Sequence, residues 1–67
     1  MHIKLNNETV ALPSDTKTIS DLLKWRGISE QGTAVALNGR LAERTKWDIT
    51  DLKDNDDVVI INAAFGG

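Results

Sequence analysis

The segment Asp54-Asn55-Asp56-Asp57-Val58-Val59-Ile60-Ile61-Asn62 carries the most information about how this chain folds. Its first four residues form a tight polar turn, in which Asn55 is the residue suited to a left-handed backbone. The turn opens onto residues 58–62, whose first four members are apolar at odd and even positions alike, whereas a strand with one wet face alternates. Such a strand belongs in the middle of a sheet. If a helix covers one face of that sheet, one of the pairs Val58/Ile60 and Val59/Ile61 lies on the uncovered side, and an apolar patch there is a contact surface.

Upstream, Met1, Ile3 and Leu5 alternate with His2, Lys4 and Asn6, and residues 9–12 alternate again with Val10 and Leu12 apolar. Asn6-Asn7 between them tolerates positive φ, so residues 1–12 read as a β-hairpin. Pro13-Ser14-Asp15 breaks the pattern. Thr18 then serves as N-cap with Asp21 three positions on, an approximate capping box. Ile19, Leu22 and Leu23 follow at helical spacing, Gly27 stands at the C′ position, and Ile28 folds back onto the apolar side. Residues 33–37 form a further strand, and Asn38-Gly39 is a turn dipeptide after which Leu41-Ala42 pairs back. Residues 43–52 are irregular, a loop with a short helical turn anchored by Trp47, Ile49 and Leu52.

The order is therefore ββαβββ, an α+β domain in which one short helix lies across one side of a mixed four- or five-stranded sheet. At 67 residues the chain makes one domain, burying roughly 60% of the surface exposed when unfolded, too little for a deep catalytic cleft. Stability rests on the core, because there are no cysteines for disulfides, thiolate metal sites or a thiol nucleophile. The basic residues are scattered among 8 basic and 10 acidic positions, which argues against nucleic-acid binding. The chain shows neither a signal peptide nor an apolar run of membrane-spanning length, so the expected compartment is the cytoplasm.

Side chains capable of chemistry are sparse. His2 is the only histidine, and no His/Cys/Asp/Glu cluster at ligand spacing accompanies it. Asp48, Asp51, Asp54, Asp56 and Asp57 lack the glycine and terminal glutamate of an EF-hand loop and read as a solvated turn, part of which could face a basic partner. Trp25 at the helix flank and Trp47 in the loop read as core or rim packing. What remains is the ending Ala63-Ala64-Phe65-Gly66-Gly67. A frayed terminus is one reading. The other is functional: a tail without side chains lies extended in a narrow slot of a partner, and its unhindered carboxylate is open to activation.

Taken together, the opening Met1-His2-Ile3-Lys4-Leu5-Asn6, the helix Thr18-Ile19-Ser20-Asp21-Leu22-Leu23, the block Val35-Ala36-Leu37-Asn38-Gly39-Arg40-Leu41-Ala42 followed by Trp47, and the ending from Asp56 to Gly67 resemble the ThiS family. These are ubiquitin-like sulfur carriers of thiamin biosynthesis, related to the molybdopterin carrier MoaD. Asn55-Asp56 stands where such carriers often have Gly-Asp, and Phe65 is bulkier than the usual residue before the diglycine. The resemblance implies a β-grasp fold over residues 1–67 with a flexible diglycine tail from about residue 63. It also implies a carrier that is not itself an enzyme, monomeric when free, with no bound cofactor. A ThiF-like enzyme using ATP would adenylate the Gly67 carboxylate, a persulfide donor would supply sulfur, and the thiocarboxylate would feed a ThiG-like thiazole synthase. Gly66, Phe65 and Ala64 would be read by the slot, with Val58, Val59, Ile60 and Ile61 as candidates for the adjoining patch. A molybdopterin carrier and a ubiquitin-like protein modifier are the alternatives.

Overall fold

A computed structural model describes residues 1–63. Of the tail expected from about residue 63, Ala64, Phe65, Gly66 and Gly67, and with them the carboxylate site, lie outside the described residues. The elements are β1 (His2–Leu5), β2 (Glu8–Ala11), α1 (Ile19–Arg26), β3 (Thr33–Leu37), β4 (Arg40–Leu41), a 3-10 turn (Arg44–Lys46) and β5 (Asp57–Asn62). The strands form one sheet in the order β2-β1-β5-β3-β4, with β5 in the centre, parallel to β1 and antiparallel to β3.

Local chemistry accounts for most of these elements. Asn6 and Asn7 both take positive φ, as do Asn38 and Gly39. Two successive left-handed residues make the tight turn that matches strand twist, so each pair closes a two-residue hairpin. The first sets Leu5 opposite Glu8, and the second sets Leu37 opposite Arg40. Asn55 is likewise left-handed, at φ 70°.

At the start of α1, the Asp21 N–H donates to Thr18 Oγ1 while the Thr18 and Lys17 N–H groups donate to Asp21 Oδ2. These bonds satisfy donors that a helix N-terminus otherwise leaves orphaned, and they hold the Asp21 carboxyl below its ordinary pKa, with the two backbone donors as the main cause. At the other end Gly27 is left-handed at φ 69°, its N–H donates to Lys24 O, and Ile28 N donates to Leu23 O. That is the Schellman pair, and Ile28 packs against the core as its hydrophobic partner.

The helix lays Ile19, Leu22 and Leu23 on one face of the sheet, against Ile3, Leu5, Val35, Val58 and Ile60. Trp47 closes one end of this core, with Nε1 donating to Ala42 O at 3.0 Å. The loop carrying it also serves the helix, since Thr50 O and Trp47 O accept from the N–H groups of Ile19 and Ser20. Leu52 is buried as expected, but Ile49 is not an anchor: it is 71% exposed. The irregular backbone after the 3-10 turn has no repeating inward face, and its carbonyls, rather than the Ile49 side chain, are what tie it to α1. The mixed five-stranded sheet with a single helix across one face is a β-grasp fold.

Candidate functional site

Because α1 covers one face only, the alternation along β5 divides its residues between two environments. Val58, Ile60 and Asn62 point to the helix side and are buried, whereas Asp57, Val59 and Ile61 point to the open side. Val59 is 38% and Ile61 65% exposed. Val58 and Ile60 therefore do not belong to a contact patch: both are members of the core cluster. The run is apolar on both faces although the helix covers just one of them.

The pairing register extends the open face. Val59 stands opposite Ala36 and Ile61 opposite Ala34 on β3, while Ala36 stands opposite Leu41 on β4. Directly paired residues project to the same face, so Val59, Ile61, Ala34, Ala36 and Leu41 make one apolar surface. Leu41, at 76% exposure, is its most prominent member. On the β1 and β2 half the same face is polar, since Lys4 pairs with Asp57 and Thr9 pairs with Lys4. The sequence reading missed Ala34, Ala36 and Leu41 as surface, although parity carried through the two-residue Asn38-Gly39 turn contains the answer.

The patch leads toward the chain's last residues through a well-held strand end. Asn62 turns inward and its Nδ2 donates to Ser29 O and to Thr33 Oγ1. The Ala63 N–H donates to Gly32 O at 2.8 Å, so backbone pairing beside β3 continues one residue past β5. At the opposite end the strand is fixed by polar side chains. Asp56, buried despite its charge, accepts from Lys53 N at 2.7 Å and from Asn38 Nδ2 at 2.9 Å. Asp57 N donates to Asn38 Oδ1 at 2.9 Å. Asp56 is thus a structural member of the acidic set, and Asp54 accepts from the His2 backbone N–H.

On the helix side a groove of about 620 Å³ opens between the end of α1 and the first hairpin. Leu5, Ile28 and Ile60 floor it, and Trp25, Arg26 and Glu8 line its edge. Trp25 is a rim residue, with the Arg26 guanidinium 5.5 Å from its ring centroid. Among the described residues no group of three or more His, Asp or Glu side chains is placed to hold a metal ion. No helix among them is long and apolar enough to cross a membrane. The described surface offers an apolar sheet face beside a hydrogen-bonded strand end.

Comparison with known proteins agrees with this architecture. The crystal structure of the thiamine biosynthesis protein ThiS from Geobacter metallireducens is similar, with a TM-score of 0.81 and 25% identity over 92% of this chain and 93% of that one. An NMR solution structure of a thiamine biosynthesis protein from the same organism has a TM-score of 0.77 at 25% identity, over 91% of this chain and 81% of that one. No curated protein sequence matches the chain. The family model described as the ThiS family matches residues 3–67, which is nearly the whole chain and includes the terminal diglycine. The chain belongs to the ThiS family.

Proposed function

We propose that this chain is a sulfur carrier for thiamin biosynthesis, a cosubstrate that other enzymes act upon. The observation that carries the reading is the family match, which runs through Gly67. The apolar face formed by Val59, Ile61, Ala34, Ala36 and Leu41 supports it, because an enzyme gripping the tail has an adjoining surface to press against.

A carboxylate is a poor electrophile until one oxygen becomes a good leaving group. In the proposed cycle the Gly67 carboxylate attacks the α-phosphorus of ATP on a ThiF-like enzyme, and pyrophosphate leaves. The terminal sulfur of a persulfide then attacks the acyl carbon and AMP leaves. A second thiol cleaves the resulting acyl disulfide, forming a new disulfide and releasing the thiocarboxylate that a ThiG-like thiazole synthase consumes. Gly66, Phe65 and Ala64 thread the slot, where the glycine without a Cβ permits close backbone approach. The chain is a monomer when free and works in the cytoplasm, and ATP is bound by the partner.

Intact mass after incubation with a ThiF-like enzyme, ATP and a persulfide source tests this. The expected result is exchange of one oxygen for sulfur, located on the C-terminal peptide. No exchange with an enzyme that thiolates its own carrier overturns the assignment. Thiolation followed by delivery to a molybdopterin precursor, or an isopeptide bond through Gly67, reassigns the acceptor.

A further inference from the structure

Asn38-Gly39 is the only Asn-Gly pair among the chain's asparagines, which stand at positions 6, 7, 38, 55 and 62. Asn-Gly is the sequence most prone to spontaneous deamidation, since glycine puts no side chain in the way of its own amide nitrogen. Here the turn is sterically open as well: Asn38 is exposed, and a Cβ built on Gly39 would meet nothing within 4 Å. The Asn38 side chain, however, is occupied. Its Nδ2 donates to the Asp56 carboxylate and its Oδ1 accepts the Asp57 N–H, both at 2.9 Å.

We propose that Asn38 is a deamidation site gated by its own bridge to β5, so that the reaction proceeds only when the β3–β4 turn lifts away from Asp56 and Asp57. The amide nitrogen of Gly39 attacks Cγ of Asn38 and closes a five-membered imide. Nδ2 leaves as ammonia, carrying the proton lost from the Gly39 N–H. Water then opens the ring at Cγ to give aspartate, or at the backbone carbonyl to give isoaspartate. One water is consumed and one ammonia released, with no change of oxidation state.

Either product prevents the bridge from closing again. A carboxylate at position 38 loses the Nδ2 donor and sets a second negative charge against buried Asp56. Isoaspartate also adds a backbone atom to a two-residue turn, which spoils the register that sets Leu41 opposite Ala36. The isoaspartate product thus removes Leu41 from its place in the apolar face, and either product marks molecules whose turn has opened.

The test compares the native protein with the same chain in urea, both held in mildly alkaline buffer. Peptide mapping locates the mass gain, and an isoaspartyl methyltransferase assay identifies the iso form. Expected is modification of Asn38 ahead of the other asparagines in urea, and at least about tenfold more slowly in the native protein, since two hydrogen bonds must open first. Equal rates in the two states overturn the gate, and earlier modification at another asparagine in urea overturns the site. The variant Asn38→Asp tests the consequence: a lowered Tm and faster hydrogen exchange across β3 and β4 are expected, and an unchanged Tm overturns the proposed loss of the bridge.

Discussion

The side-chain amide of Asn6 pairs with the backbone of Ile60 in both directions: Nδ2 donates to the Ile60 carbonyl at 3.2 Å, and Oδ1 accepts the Ile60 N–H at 2.8 Å. The backbone N–H of Asn6 meanwhile donates to Val58 O at 2.9 Å, as Lys4 N does to Asp56 O one step earlier. The side chain therefore carries the β1–β5 ladder one rung beyond the end of β1, while its backbone turns the hairpin at φ 48°. One residue makes the turn and secures the central strand.

Replacing Asn6 separates these roles. Asn6→Gly keeps the left-handed conformation but leaves the Ile60 groups without their partner, at a cost of about 1–3 kcal/mol. Asn6→Ala adds strain at positive φ and is expected to be worse than Asn6→Gly by about 1 kcal/mol. Urea unfolding of both variants measures the difference, and equal midpoints would show that the backbone conformation carries no penalty.

The two faces of β5 predict opposite mutational behaviour. Ile61→Asp, on the open side, is expected to change stability by less than about 1 kcal/mol, as surface substitutions do. Its effect should fall on binding to the activating enzyme. Ile60→Ala, on the helix side, removes core volume and is expected to cost about 2–5 kcal/mol. Thermal unfolding checks the pair, and a large loss for Ile61→Asp would mean that the open face is covered in the free protein.

Asp21 gives the helix N-terminus a pH dependence. Backbone hydrogen bonds lower its folded-state pKa below the ordinary aspartate value, so its stabilisation is complete above that ordinary value and is lost as pH falls through the lowered one. Asp21→Asn should reduce Tm at neutral pH, and the difference from the parent protein should shrink on acidification through that window. A constant difference at every pH would assign the effect to something other than the charge.

Deleting Gly67 is expected to leave Tm almost unchanged, because the folded core is assembled from residues between Ile3 and Ile60. Thiolation by the activating enzyme should be abolished. Formation of a thiocarboxylate by the truncated chain would move the reactive group elsewhere.

Much of this architecture was legible in advance wherever the deciding physics is local. Asn6-Asn7, Asn38-Gly39 and Asn55 take the left-handed conformations their residue types favour, Thr18 and Asp21 form the box their spacing describes, and Gly27 ends α1. Each of these depends on φ and ψ or on groups three to five residues apart. Ile49 escaped the same reasoning because residues 43–52 have no period from which an inward direction follows.

By itself, then, the sequence determined the turns, the caps, the order of the elements and the central place of β5, all of which follow from residue-level conformational preference and apolar patterning. Only the tertiary structure decided that Val58 and Ile60 are core while Val59 and Ile61 face outward. The run Val58 to Ile61 is apolar at every position and carries no parity signal, so its orientation is set by which side α1 crosses. The same holds for the bridges from Asn6 to Ile60 and from Asn38 to Asp56: their partners lie far apart in the chain, and only the assembled sheet brings the side chain of one within hydrogen-bonding distance of the other.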